Sequence, residues 1–234
     1  MPAGWIGFPD RGTFDPMIRI LHKRTRELIL AVDLPTLAGA ALPLASIHGG
    51  DLSGADMHGA DLRFGDLCRM VLRGTDLRNA DLTGVDLSYS DCTDADFRAA
   101  NLTDVRLIGV AATGADFAGA RLSGARCYQA SFTRAGFENA DLERAALVHA
   151  AGSGARFRGA NLTGADLSFA DFAGADFAFA NLARAMLART NVSDATFHQA
   201  ELAFACFNHA TLTRANFDGA MCDYAVFVPP RRRS

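Results

Sequence analysis

The chain has 234 residues, half of them apolar, and a formal net charge of −3. It can bury a sizeable core, and so balanced a charge points to neither direct nucleic-acid binding nor a membrane surface. No stretch of 18 apolar residues occurs, so no transmembrane helix is expected.

Residues 1–16 include Trp5 and Phe8 but show no periodic pattern, and they are expected to form a flexible leader. Met1 to Asp10 has no basic region followed by an apolar run, so no signal peptide is visible. Next, Met17-Ile18-Arg19-Ile20-Leu21 and Glu27-Leu28-Ile29-Leu30-Ala31-Val32 flank His22-Lys23-Arg24-Thr25. This pattern predicts a β-hairpin cap, with a short helix through Arg24 to Val32 as the alternative. Residues 17–45 are assigned to the cap and a lead-in segment, with Pro35 to Leu44 leading on towards Ser46.

From Ser46 to Val228 the chain repeats every five residues without a break in frame, as Ala-(Asp/Asn)-(Leu/Phe)-x-x. Ala60-Asp61-Leu62-Arg63-Phe64 and Ala160-Asn161-Leu162-Thr163-Gly164 are two examples. Of the 37 centres between Ile47 and Phe227, 29 are Leu or Phe. A period of five fits neither the 3.6 of a helix nor the 2.0 of a strand. It fits a chain that turns a corner every five residues and aims each centre inward.

Four sides make a coil of twenty, and the residues support that number. Leu62, Leu82, Leu102, Leu122, Leu142, Leu162, Leu182 and Leu202 share one side. Phe97, Phe117, Phe137, Phe157, Phe177, Phe197 and Phe217 share another. A five-residue period alone cannot segregate the two types. The residue two before the centre is Ala in 28 of 37 units, so it too points inward, where only a methyl fits. Ala112 and Gly152, small centres on either side of Phe132 in one stack, predict volume compensation. Met70 between Gly50 and Ser90 predicts the same.

On these motifs the chain resembles the pentapeptide-repeat proteins over about 180 residues. The resemblance implies an all-β, right-handed quadrilateral β-helix of about nine coils, roughly 43 Å long at one strand spacing per coil. No frame shift leaves room for the extruded loop that some members carry. Some members imitate B-form DNA, bind DNA gyrase or topoisomerase IV and protect them from quinolones.

Residues 229–234, Pro229-Pro230 followed by Arg231-Arg232-Arg233-Ser234, form a short tail. The last units put Met221 and Val226 where Asp or Asn usually stands. Together with Tyr224 and Phe227 they predict an apolar end suited to an end-to-end homodimer. The alternative is a monomer whose edge is blocked by the two prolines.

No catalytic, nucleotide-binding or metal-binding motif is found, so neither an enzyme nor a cofactor is expected. The five cysteines lack a Cys-x-x-Cys pair, which fits a reducing cytoplasm. Stacking could bring His48 beside Cys68, and Cys206 lies near His209 in sequence; both read as ordinary neighbours. The surface says more. Residues 46–116 hold 12 acids to 6 arginines, with Asp56, Asp76, Asp96 and Asp116 forming a ladder on the phenylalanine side. This is either a solvated face or an acidic rail resembling a phosphate backbone. Ile108, Tyr128 and Val148 share one outward slot, with Phe169 nearby, and make a candidate protein-contact patch. The expected function is non-catalytic protein binding or scaffolding, with a gyrase-directed DNA mimic as the alternative.

Overall fold

A computed structural model describes residues 17–33 and 36–228; the leader and the tail read from the sequence lie outside the described residues. Within the repeat, each unit runs extended for three residues and then turns. Ala145 N–H, for example, returns to Leu142 C=O at 3.0 Å. The residue just before Ala145, Arg144, has φ +55°. A bond from residue i to i+3 with a positive φ at i+2 is a type II turn. Every residue whose number ends in 4 or 9, from Gly39 to Tyr224, has such a φ. Only some are glycine, and each of the others costs roughly 1–2 kcal/mol in this conformation, so packing must hold the corners.

Packing does so by stacking equivalent residues. The residue before each centre bridges in parallel to the residue twenty later, from Ala41↔Asp61 through Cys206↔Val226. The coil therefore has four sides of five residues. The fold is a right-handed quadrilateral β-helix. The ladder starts ahead of Ser46, the boundary read from the sequence. Leu37 is buried and already begins a turn closed by Ala40 N–H at 3.1 Å. Leu37 and Leu42, with Ala40 and Ala45, already fit the frame of centres and methyl slots, but Pro43 obscures the outward pattern.

The core is two inward columns per side. Phe137 lies between Phe117 and Phe157, with ring centroids 4.8 Å apart and planes 3° from parallel in both pairs. Phe132 meets Phe137 edge-on at 5.2 Å, the geometry favoured by the ring quadrupole. Gly152 is small because the Phe172 ring occupies its side-chain space: a Cβ there would lie 2.1 Å from that ring. The ring that fills this space is thus Phe172 on the following coil, where the sequence pointed to Phe132 on the preceding one. Met70 leans over Gly50, with its sulfur 3.1 Å from the Gly50 nitrogen. Thr75, Ser90 and Thr190 occupy methyl slots and stay satisfied by donating to Leu52, Leu67 and Leu167 carbonyls at 2.8, 3.1 and 2.7 Å.

The N-terminal cap is a hairpin, not a helix. Strands β1 (Met17–Leu21) and β2 (Leu28–Asp33) pair antiparallel, with Ile20 opposite Leu30. Ile20 is buried against Gly50 and the first coil. Lys23 N–H donates to Gly49 C=O at 3.0 Å, and Asp51 N–H to Leu21 C=O at 3.2 Å. The hairpin thereby covers the edge of the first coil at the Gly49–Asp51 corner. Among the described residues no helix is long and apolar enough to cross a membrane.

Candidate interaction surfaces

The Asp or Asn before each centre has a local task. Its Oδ1 accepts the N–H of the residue after the centre, as in His58 to Asp56 (3.2 Å), Arg78 to Asp76 (3.1 Å), Arg98 to Asp96 (3.1 Å) and Ala118 to Asp116 (2.9 Å). Asn does the same, as Thr163 N–H to Asn161 Oδ1 shows at 3.2 Å. The carboxylate thus satisfies a turn N–H that the backbone leaves free. The preference for Asp follows from turn chemistry.

The four aspartates do stack, through the bridges Asp56↔Asp76↔Asp96↔Asp116. They are not a bare rail. Arg78 holds Asp76 at 2.6 Å and reaches Asp96 at 3.7 Å. Arg98 repeats this one coil on, with Asp96 at 2.6 Å and Asp116 at 3.7 Å. His58 lies 2.7 Å from Asp56. The hydrogen bonds from His58, Arg78 and Arg98 are the main reason the Asp56, Asp76 and Asp96 carboxyls sit below the usual carboxylate range. Asp56, His58 and Asp76 bring possible ligand atoms within 4.8 Å of one another, a grouping hidden in sequence because it joins two coils. Arg78 already occupies Asp76, so the arrangement favours an ion-pair chain over a cation.

Ile108, Tyr128 and Val148 stand at one corner on consecutive coils. Gly109 N–H donates to Tyr128 C=O at 2.9 Å, and Gln129 N–H to Val148 C=O at 3.1 Å, so the corner is continuous. Tyr128 is 42% exposed and Phe169 47%, while Ile108 and Val148 are half-buried. Phe169 extends the patch by stacking on His149 at 5.1 Å, with the Arg189 guanidinium 5.5 Å from the centre of the Phe169 ring. The patch is apolar with a cationic margin, as protein contact surfaces often are.

At the C-terminal end Met221, Tyr224, Val226 and Phe227 are all exposed. Tyr224 stacks on Phe204 at 5.0 Å, and the centres Leu212, Phe217 and Cys222 are only partly buried. The four residues therefore share one apolar end.

Among the cysteines, burial and the neighbouring Asp66 push the Cys68 thiol up to about 11, which leaves it a poor nucleophile beside His48. Cys92 is a buried core centre, and burial alone pushes the Cys127 thiol up to about 12. No metal-ligating group includes Cys206 and His209 among the described residues.

A family model described as pentapeptide repeats matches eight times between residues 51 and 227, the first match covering 51–88 and the last 196–227. Among solved structures, HetL, a pentapeptide repeat protein involved in heterocyst differentiation regulation in the cyanobacterium Nostoc sp. strain PCC 7120, is 31% identical. That match covers 80% of this chain and 87% of HetL, with a TM-score of 0.41. A pentapeptide repeat protein from the Arabidopsis thaliana thylakoid lumen is 34% identical over 42% of this chain and 68% of its own, also at a TM-score of 0.41. QnrB1, a plasmid-mediated fluoroquinolone resistance protein, is 17% identical in a trypsin-treated form. That match covers 80% of this chain and 88% of QnrB1, with a TM-score of 0.39. A search of curated proteins returned no match.

Proposed function

Because the chain belongs to the pentapeptide-repeat family, we propose that it is a non-catalytic rod that binds a protein partner through the corner at Ile108, Tyr128, Val148 and Phe169. One observation carries this reading. Two exposed aromatic rings and two half-buried aliphatic side chains follow one another along a single corner, where the repeat usually places Ser, Thr, Arg or Ala. A rigid rod pre-organises such a strip, so little ordering is lost on binding. We place this activity in a reducing cytoplasm, in keeping with the buried thiols of Cys92 and Cys127.

The DNA-mimic reading, with DNA gyrase as partner, rests on the acid excess of residues 46–116. Arg78 and Arg98 reduce the field of the ladder by bracketing its carboxylates, which favours the apolar corner. The exposed end at Met221, Tyr224, Val226 and Phe227 supports an end-to-end homodimer as part of either reading.

The test is affinity capture with Tyr128→Arg beside the parent chain, followed by a gyrase supercoiling assay across a salt series. Tyr128→Arg is expected to fold normally and lose its partner. Undiminished capture overturns the corner as the contact. Gyrase binding that weakens steeply with salt selects the mimic, since a desolvated apolar contact responds little to ionic strength.

A further inference from the structure

The N-terminal half pairs its arginines with care. Arg63, Arg73, Arg78, Arg98 and Arg106 each hold an aspartate. Arg69 is the sixth arginine between residues 46 and 116, and no carboxylate among the described residues lies within salt-bridge range of it. Two further cations without such a partner among the described residues stand beside it: Lys23, the single lysine of the chain, and Arg24. The three line an open recess of about 530 Å³ between the hairpin turn and the corner of the first coils, completed by His22, His48, Gly49 and Tyr89.

The recess is held in shape. The Lys23 ammonium donates to the Arg69 carbonyl at 2.5 Å, which ties the hairpin turn to the corner. His22 packs over Gly49, where a Cβ would lie 2.9 Å from the imidazole and the backbone has φ +73°. The close ring, on a backbone already at positive φ, favours glycine there. Tyr89 lies over Gly109, whose missing side chain makes room for the ring, and remains 60% exposed. Asp66 lies 3.9 Å from His48, and Glu27 is engaged by Thr25 at 2.9 Å.

Three cations gathered in an otherwise acidic half repel one another unless an anion sits among them. A guanidinium fork beside an ammonium suits the several oxygens of a phosphate. The recess falls within the roughly 300–1,000 Å³ range of small-molecule sites, and Tyr89 supplies a flat wall for a planar group attached to the phosphate. We propose that this recess binds a nucleoside monophosphate, its phosphate held by Lys23, Arg24 and Arg69 and its ring against Tyr89.

The test is isothermal titration of the full chain with adenosine monophosphate, inorganic phosphate and adenosine at one ionic strength. The expected result is one site for the monophosphate, weaker binding of phosphate and none of adenosine. Arg69→Gln should weaken the monophosphate tenfold or more, while Arg121→Gln, a change at an exposed arginine remote from the recess, should not. Tyr89→Ala should weaken the monophosphate and spare phosphate. Circular dichroism melts check each fold; should Arg69→Gln melt early, Arg24→Gln at the exposed turn gives the same reading. No heat with either phosphate ligand overturns the proposal. So does equal weakening by the Arg69 and Arg121 changes, which would mean diffuse attraction, and so does a monophosphate that binds no better than phosphate.

Discussion

At the N-terminal end Ile20 is 1% exposed and roofs the first coil, whose Asp51 N–H and Gly49 C=O find partners in Leu21 and Lys23. At the other end Phe227 is 41% exposed and Tyr224 78%, and the last centres are covered only in part. The interior between them is uniform, with one coil rise and one set of turns. A solenoid's stability is a sum over neighbouring coils, so the same substitution has a different cost at each place along the rod. The capped end uses a hairpin to cover a corner of its first coil, whereas the apolar end offers its unfinished coil as a surface.

The sharpest break of this comparison is a charge placed in the uniform interior. Leu142 is fully buried with no polar partner, so Leu142→Asp should cost about 3–5 kcal/mol, as an unpaired charge does in a core. Cooperative melting should be lost. Val226→Asp places the same charge at the open end, on an outward ladder position. It should leave the melting of the monomer nearly unchanged and, if the end face pairs, halve the mass seen by light scattering. Equal melting of Leu142→Asp and the parent chain would contradict the inward assignment of the leucine column.

A second change asks how far the cap's influence reaches. Ile20→Ala removes the buried anchor of β1 and should cost about 2–4 kcal/mol, confined to the hairpin and first coils. Hydrogen exchange at Asp51, whose N–H is held by Leu21, should accelerate, while exchange at Leu142 stays slow. Acceleration along the whole rod would mean that the coils unfold as one unit and that the cap governs all of them.

The contrast between interior and ends also sets what is legible in the sequence. The interior is legible because each coil repeats its predecessor: Phe137 between Phe117 and Phe157 comes from counting by twenty. The hairpin is legible from two apolar runs around a polar turn. The frame before Ser46 is hidden because Pro43 interrupts the outward pattern, although Leu37 and Leu42 keep the centres. The aspartate ladder is legible as a column but not in its state. Whether Arg78 points to Asp76 and Asp96 or into solvent is a matter of rotamers, which spacing does not fix. The cationic recess is invisible for a different reason. It joins a hairpin turn to corners 20 and 40 residues apart, and no linear motif holds Lys23, Arg69 and Tyr89 together.

Within the interior, Gly152 is the place where the uniform column gives way. Gly152→Leu restores the commonest centre but drives the new side chain into the Phe172 ring. Overpacking of this kind should cost about 1–3 kcal/mol, read as a lower urea midpoint. Phe172→Ala should cost less in this chain than in the parent, since the new leucine fills part of the space the ring leaves. A Gly152→Leu chain as stable as the parent would show that the ring swings aside freely, and that the small centre is tolerated rather than required.

The smallest expected effect separates the two halves by pH. His58, Arg78 and Arg98 hold the Asp56, Asp76 and Asp96 carboxyls below their ordinary value of 3.8. A carboxyl lowered in the folded state adds stability that is complete above its unfolded value and disappears as pH falls through its folded one. The N-terminal coils should therefore lose this stabilisation only as pH falls below about 4, ahead of the coils after Arg121, where fewer carboxylates are held this way. Asp76→Asn should remove only Asp76's share of this difference and lower neutral-pH melting slightly, because an amide oxygen still accepts the Arg78 N–H, as Asn161 does for Thr163. Asp76→Ala loses that acceptor as well and should cost about 1 kcal/mol more. If Asn and Ala proved equally harmful at pH 7, the ion pair with Arg78 rather than the turn N–H would be what the aspartate contributes, and the charge reading of the ladder would regain its footing.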